Sequence, residues 1–172
     1  MELIILIKGN NKYIVEDKKS RTLYSIKKKG FGSNNRLVLL DASNYHLYTL
    51  LASSTDSLSY SIILNDDVFM NLQCKNKFYE PMIECRGNDI TYKLTTENKR
   101  DFAIMLNDEK KGSIETVVSA SGELQYELEI DDKLFDDYIP LFAVFIDKIY
   151  GDANRQPEAI HKIAEEKRNK KQ

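Results

Sequence analysis

From Tyr138 to Ile146 the chain carries no charged side chain, and Ile149 and Tyr150 extend its apolar character beyond Asp147 and Lys148. If the segment is helical, Ile139, Leu141, Phe142, Ala143, Val144, Phe145, Ile146 and Ile149 surround the axis instead of marking one stripe. A helix that is apolar all round must be buried on all sides. The run falls well short of the roughly 20 residues that a membrane-spanning helix needs, so the rest of the chain has to enclose it. Burying those side chains is worth on the order of 10–20 kcal/mol before conformational entropy is subtracted. The helix is expected from about Asp137 to Tyr150. Asp131-Asp132 and Asp136-Asp137 offer N-cap carboxylates, Pro140 falls in the first turn where its missing N–H matters little, and Gly151 suits a C′ position.

What precedes the helix is built to enclose something. Between residues 2 and 130 the sequence breaks into short β-rich runs separated by turn residues. About twelve can be drawn, at 2–8, 12–16, 21–29, 36–41, 45–52, 58–64, 68–73, 77–85, 89–95, 101–106, 112–119 and 123–130. The intervening Asn, Asp and Gly residues tolerate positive φ or bond their own backbone. Several runs alternate strictly: Leu124, Tyr126, Leu128 and Ile130 face one way and Glu123, Gln125, Glu127 and Glu129 the other. That is the period of a strand with one buried face, as in an antiparallel meander. A ligand-holding barrel with an external helix is disfavoured, because an external helix needs a polar face.

The combination of many short meander strands and one nearly all-apolar helix close to the C-terminus resembles the tubby C-terminal-like superfamily. It is most similar to the small single-domain LURP-one-related proteins, whose relatives include phospholipid scramblases. The opening runs Tyr13-Ile14-Val15-Glu16-Asp17, Leu23-Tyr24-Ser25-Ile26-Lys27, Arg36-Leu37-Val38-Leu39-Leu40-Asp41 and Leu47-Tyr48-Thr49-Leu50 carry the likeness. It implies a mainly β protein: a closed antiparallel barrel of about twelve strands over residues 1–151, with the helix threaded through its middle. Residues 152–172 then form a charged tail, either a surface helix or partly disordered. The apolar residues of the tail, Ala159, Ile160 and Ile163, are few, so its removal is expected to leave stability nearly unchanged. The sequence departs from the better-known relatives in lacking an acylated cysteine cluster, an acidic Ca²⁺ loop and a transferable phosphoinositide motif.

Few residues suggest chemistry. Cys74 and Cys85 are too few for a disulfide framework and stand apart from His46 and His161, so neither a metal nor a catalytic residue is expected. The pairs Asp66-Asp67, Asp131-Asp132 and Asp136-Asp137 read as turn and cap chemistry, and Gly30-Phe31-Gly32-Ser33 lacks the lysine and helix of a phosphate-binding loop. No cofactor motif is present. The N-terminal run from Leu3 to Ile7 is shorter than a secretory signal and reads as the first strand of a cytoplasmic protein.

Charge is distributed unevenly. The net value of −2 divides into +6 over residues 1–36, −11 over 37–154 and +3 over 155–172. An overall acidic balance gives no reason to expect nucleic acid. The basic opening is concentrated in a hairpin: Lys18, Lys19 and Arg21 flank its turn, and Lys27, Lys28 and Lys29 end its second strand. One reading is an edge strand guarded by lysines against aggregation. The other is contact with an anionic surface, with Phe31 as an exposed apolar tip. The expectation is therefore a non-enzymatic binding module touching anionic lipid headgroups. The alternatives are a structural or regulatory domain that meets a protein partner through an edge strand or the tail, and an enzyme with a cryptic site.

Overall fold

The structure, a computed structural model, describes residues 1–30 and 36–172; the expected Phe31 tip lies outside the described residues. Twelve strands follow one another: β1 (Glu2–Gly9), β2 (Lys12–Asp17), β3 (Thr22–Lys28), β4 (Arg36–Asp41), β5 (His46–Ala52), β6 (Ser59–Leu64), β7 (Asp67–Lys75), β8 (Met82–Gly87), β9 (Thr91–Thr96), β10 (Asp101–Leu106), β11 (Glu109–Val118) and β12 (Leu124–Ile130). Each is antiparallel to its sequence neighbours, and β1 closes the ring on β12, with Leu3 opposite Leu128 and Ile5 opposite Tyr126. The expected barrel is observed. Asn65-Asp66 and Asn107-Asp108 both have positive φ at two successive residues, the geometry of the tightest hairpin turns. Register shifts that leave one extra residue in each of β1, β3, β5, β7 and β11 (Lys8, Leu23, Leu47, Phe69 and Lys111) supply the local bends that a closing sheet needs.

Helix α1 (Pro140–Asn154) fills the barrel. Ile139 and every residue from Leu141 to Ile146 are inaccessible to solvent. Its side chains reach strands all round the ring: Phe145 meets Tyr60 of β6, Phe142 meets Tyr92 of β9, Tyr150 meets Phe102 of β10, and Asp147 bonds Tyr13 of β2 and Tyr126 of β12. Only a helix on the barrel axis can touch all of these. Helix α2 (Pro157–Lys170) follows and lies against the outside of β11.

Direction along the axis is fixed at both ends. The entry end of the barrel holds Met1, whose carbonyl accepts from the Ile130 N–H, and Lys111, whose carbonyl accepts from Asp131 N–H just before the helix. At the exit end, Lys148 bonds Asn11, the Tyr150 hydroxyl donates to the Lys77 carbonyl at 2.9 Å, and Asn154 donates to the Lys99 carbonyl at 3.3 Å. Odd-numbered strands therefore run toward the exit end and even-numbered ones toward the entry end.

Three local expectations are corrected. Asp136 and Asp137 do not cap α1: the N-cap is Ile139, without a side-chain bond, because Asp137 is turned to accept from the Tyr24 hydroxyl. Gly151 does not end the helix, which continues to Asn154; a Cβ at 151 would lie 2.4 Å from Asp147 Oδ1 and 2.5 Å from an Arg155 guanidinium nitrogen, so the glycine clears the path between those two side chains. Residues 77–81 are not part of β8. Asn76 and Glu80 adopt positive φ and Pro81 has no N–H for the ladder, so Phe78 and Tyr79 are carried out onto a loop tip. Residues 157–170 of the tail form the surface helix α2: Ile163 is 2% exposed, Lys167 bridges Asp101 at 3.4 Å and Glu115 at 2.7 Å, and Arg100 pairs with Glu166 at 3.3 Å.

Candidate functional site: the two barrel ends

Closure of the ring bears directly on the basic hairpin. β2 pairs with β1 and β3, and β3 with β2 and β4, so neither is an edge strand. Lysines here have no edge to guard. For the same reason the ring offers a protein partner no open edge to extend.

The six hairpin residues are not brought together. Lys18, Lys19 and Arg21 lie at the entry end, whereas Lys27, Lys28 and Lys29 lie at the exit end, separated along β3 by about 20 Å between Arg21 and Lys27 at ~3.4 Å per residue step. The entry-end group is largely compensated. Lys18 pairs with Glu2, and Asp17 is held below its ordinary range first by the Arg21 backbone N–H, then by the Arg21 guanidinium at 2.6 Å and the Lys19 backbone N–H. The same end carries Asp41, Asp66, Asp108, Asp131, Asp132 and Asp136.

The exit-end group is reinforced instead. Lys27 stands directly opposite Lys12, the Lys29 N–H donates to the Arg36 carbonyl at 3.4 Å, and Lys8 sits at the end of β1. Lys8, Lys12, Lys27, Lys29 and Arg36 are exposed, and Lys28, in phase with the inward-facing Tyr24 and Ile26, is partly covered at the rim. Residues 3–15 and 22–40 contain no Asp or Glu. Among the described residues none of these six cations has a carboxylate within ion-pair distance. Like charges facing each other across strands are destabilising, so the Lys12–Lys27 pair does not serve the fold. Sequence reasoning found three members of this sector; Lys8 and Arg36 were missed because the pairing of β1 and β4 with the hairpin was needed to gather them, and Lys12 because the register of β2 on β3 was.

Beside this sector the exit end opens into a cleft of about 890 Å³ whose lining includes Lys8, Asn11, Tyr13, Glu123, Lys148 and Arg155. At its floor the buried Asp147 carboxylate accepts from the Tyr13 hydroxyl at 2.6 Å, the Tyr126 hydroxyl at 2.7 Å and the Arg155 guanidinium at 2.6 Å. Burial, and then the adjacent Asp147 charge and bond, push both phenols well above their ordinary range. Burial lowers the Lys148 ammonium, which is held by Asn11. An Asp that accepts three donors is a clamp between α1, β2 and β12, with three of its about four acceptor sites occupied. The signal for this cluster was legible in hindsight: one Asp in an apolar helix, then Gly and Arg at four-residue spacing on the same face.

The remaining sequence candidates stay apart from one another. His46 Nε2 lies 2.8 Å from Thr49 Oγ1 and 3.1 Å from the Tyr48 carbonyl, and His161 is exposed on α2. Cys74 and Cys85 are buried free thiols, and burial raises both above the range in which a thiolate forms readily. Among the described residues no group of three His, Cys, Asp or Glu side chains is placed to hold a metal ion. No described helix is long and apolar enough to cross a membrane.

These features define a class by architecture: a closed twelve-stranded antiparallel barrel threaded by a buried helix, with a second helix on its outer wall. The same fold is seen in the X-ray structure of a protein from Arabidopsis thaliana, AT5G01750, which matches with a TM-score of 0.61 and 15% sequence identity over 90% of this chain and 91% of that one. No family model matches the sequence, and no curated protein matches it.

Proposed function

We propose that the protein is a non-enzymatic binding module of the tubby C-terminal-like, LURP-one-related kind, and that the exit-end basic sector contacts anionic lipid headgroups. The observation that carries this reading is the sector itself: exposed cations in a closed barrel with no edge to protect, without carboxylate partners among the described residues, two of them opposed at a cost to the fold. The helix-filled barrel supports a binding role over catalysis, because its interior is occupied by side chains and the one buried carboxylate of its exit cleft is already engaged by three donors. A cytoplasmic location accords with two buried thiols left unpaired.

Each Lys or Arg near an anionic bilayer contributes about 1 kcal/mol, so four or five acting together give several kcal/mol, enough for weak reversible association and too little for stable anchoring. Screening shortens the reach of these charges from about 30 Å at 0.01 M salt to about 8 Å at 0.15 M. Purified protein is therefore expected to co-float with phosphatidylserine-rich vesicles at low ionic strength, to release near physiological salt, and to ignore pure phosphatidylcholine vesicles. Absence of flotation at low salt, or equal binding to both vesicle types, contradicts the reading.

A further inference from the structure

Among the described residues the two most exposed large apolar side chains are not in the basic sector. Phe78 and Tyr79, 77% and 78% exposed, form the tip of the loop between β7 and β8. β7 is odd-numbered, as β1 and β3 are, so this tip projects from the exit end, the same end as Lys8, Lys12, Lys27, Lys29 and Arg36. The loop is held in place from beneath. Tyr150, on the last buried turns of α1, donates its hydroxyl to the Lys77 carbonyl at 2.9 Å and lies 3.5 Å from Cys74 Sγ; the Tyr79 N–H donates to the Asn76 carbonyl at 3.2 Å. Asn76 and Glu80 take positive φ to turn the chain. The Lys77 ammonium lies 5.4 Å from the Phe78 ring centroid, and Lys75, paired with Glu84 at 3.4 Å, flanks the loop on the strand side.

A loop tied to the core helix, bent through two left-handed residues and carrying two adjacent bare aromatics beside lysines, has the composition of an interfacial anchor: rings for the headgroup–acyl boundary and cations for the phosphates. We infer that Phe78 and Tyr79 insert into the interface of the anionic bilayer that the basic sector meets. The inference rests on the lipid reading above and adds to it the apolar contact and the orientation of the barrel, exit end down, on the membrane. The charge complementarity of that end commits the aromatic tip to a lipid surface and not to a protein groove.

The chain contains no tryptophan, which makes the test direct. Phe78→Trp places a single indole at the tip without disturbing buried contacts. With phosphatidylserine-rich vesicles at low salt its emission is expected to shift to shorter wavelength and to be quenched by lipids brominated near the top of their acyl chains. The double variant Phe78→Ala with Tyr79→Ala, whose native side chains are solvent-exposed, is expected to keep its thermal stability and to lose about tenfold or more in vesicle affinity. Co-flotation with an unshifted, unquenched tryptophan, and with the double variant binding as the parent does, overturns the anchor while leaving the charge-based reading in place. Failure of the parent protein to float at all overturns both. Restoration of a tryptophan shift by a protein extract but by no vesicle makes the tip a protein contact and likewise overturns it.

Discussion

Asp147 and Gly151 act as one unit at the exit end of the helix. Asp147 is the only acidic residue in the buried part of α1, with its side chain 4% exposed, and it joins two phenols of β2 and β12 to Arg155 one turn beyond Gly151. Truncation by Asp147→Ala strands two buried hydroxyls and a guanidinium, and is expected to lower stability by about 3 kcal/mol, the low end for a broken buried pair because Arg155 is partly solvated. Chemical denaturation measures it. Gly151→Ala is the sharper case. In an ordinary helix alanine is favoured over glycine by about 1 kcal/mol. Here the added methyl meets Asp147 and Arg155, so the substitution is expected to destabilise instead. A stabilised Gly151→Ala variant would show that the clamp tolerates displacement and contributes little.

Between elements, the sequence was most legible where one force dominated. Burial on every face of the Ile139–Ile149 segment left a single solution, a helix enclosed by strands, and the alternation in β9 and β12 oriented those strands without ambiguity. Phe145→Ala, which removes a ring packed on Tyr60, is expected to cost roughly 3–5 kcal/mol, and its melting curve checks the axial position of α1. Legibility failed where side chains compete for the same backbone. The 77–85 run looks like one strand because Phe78 and Tyr79 are good strand formers, and only Pro81 and two left-handed residues take them out of the ladder. The docking of the tail was not legible for a related reason. Ile163 alone among its few apolar residues is fully buried, and its docking depends on Lys167, whose two carboxylate partners come from β10 and β11, far away in sequence. Removing residues 157–172 is accordingly expected to lower stability by about 2 kcal/mol, a fall in Tm of roughly 4–8 °C, where a loosely attached tail would give none.

Over the whole molecule, burial has left several phenols that cannot easily ionise. Tyr13, Tyr24, Tyr126, Tyr138 and Tyr150 are all held above their ordinary value of 10.0, each first by burial and then by neighbouring carboxylate, phenol or thiol groups. The unfolded chain releases these protons above about pH 10 and the folded one retains them, so the stabilisation is complete below that value and is lost as pH rises beyond it. Lys148, lowered by burial, acts in the opposite sense but is one group against five. An alkaline titration is expected to show phenolate absorbance of these residues rising together with loss of the far-ultraviolet circular dichroism of the barrel; phenolate absorbance beyond what the solvent-exposed Tyr45 and Tyr79 can supply, in an intact fold, would contradict their placement inside it.

The barrel is also polar along its axis, with carboxylates crowding the entry end and uncompensated cations one sector of the exit end. The basic hairpin spans both ends, which makes it a ruler for the proposed function. The decisive measurement is vesicle flotation at low salt with two charge reversals in parallel, Lys27→Glu with Lys29→Glu at the exit end and Lys18→Glu with Lys19→Glu at the entry end. Loss of binding in the first and retention in the second, with both variants folded, is the predicted result; equal loss in both, or binding that survives the exit-end reversal, would contradict an exit-end lipid contact.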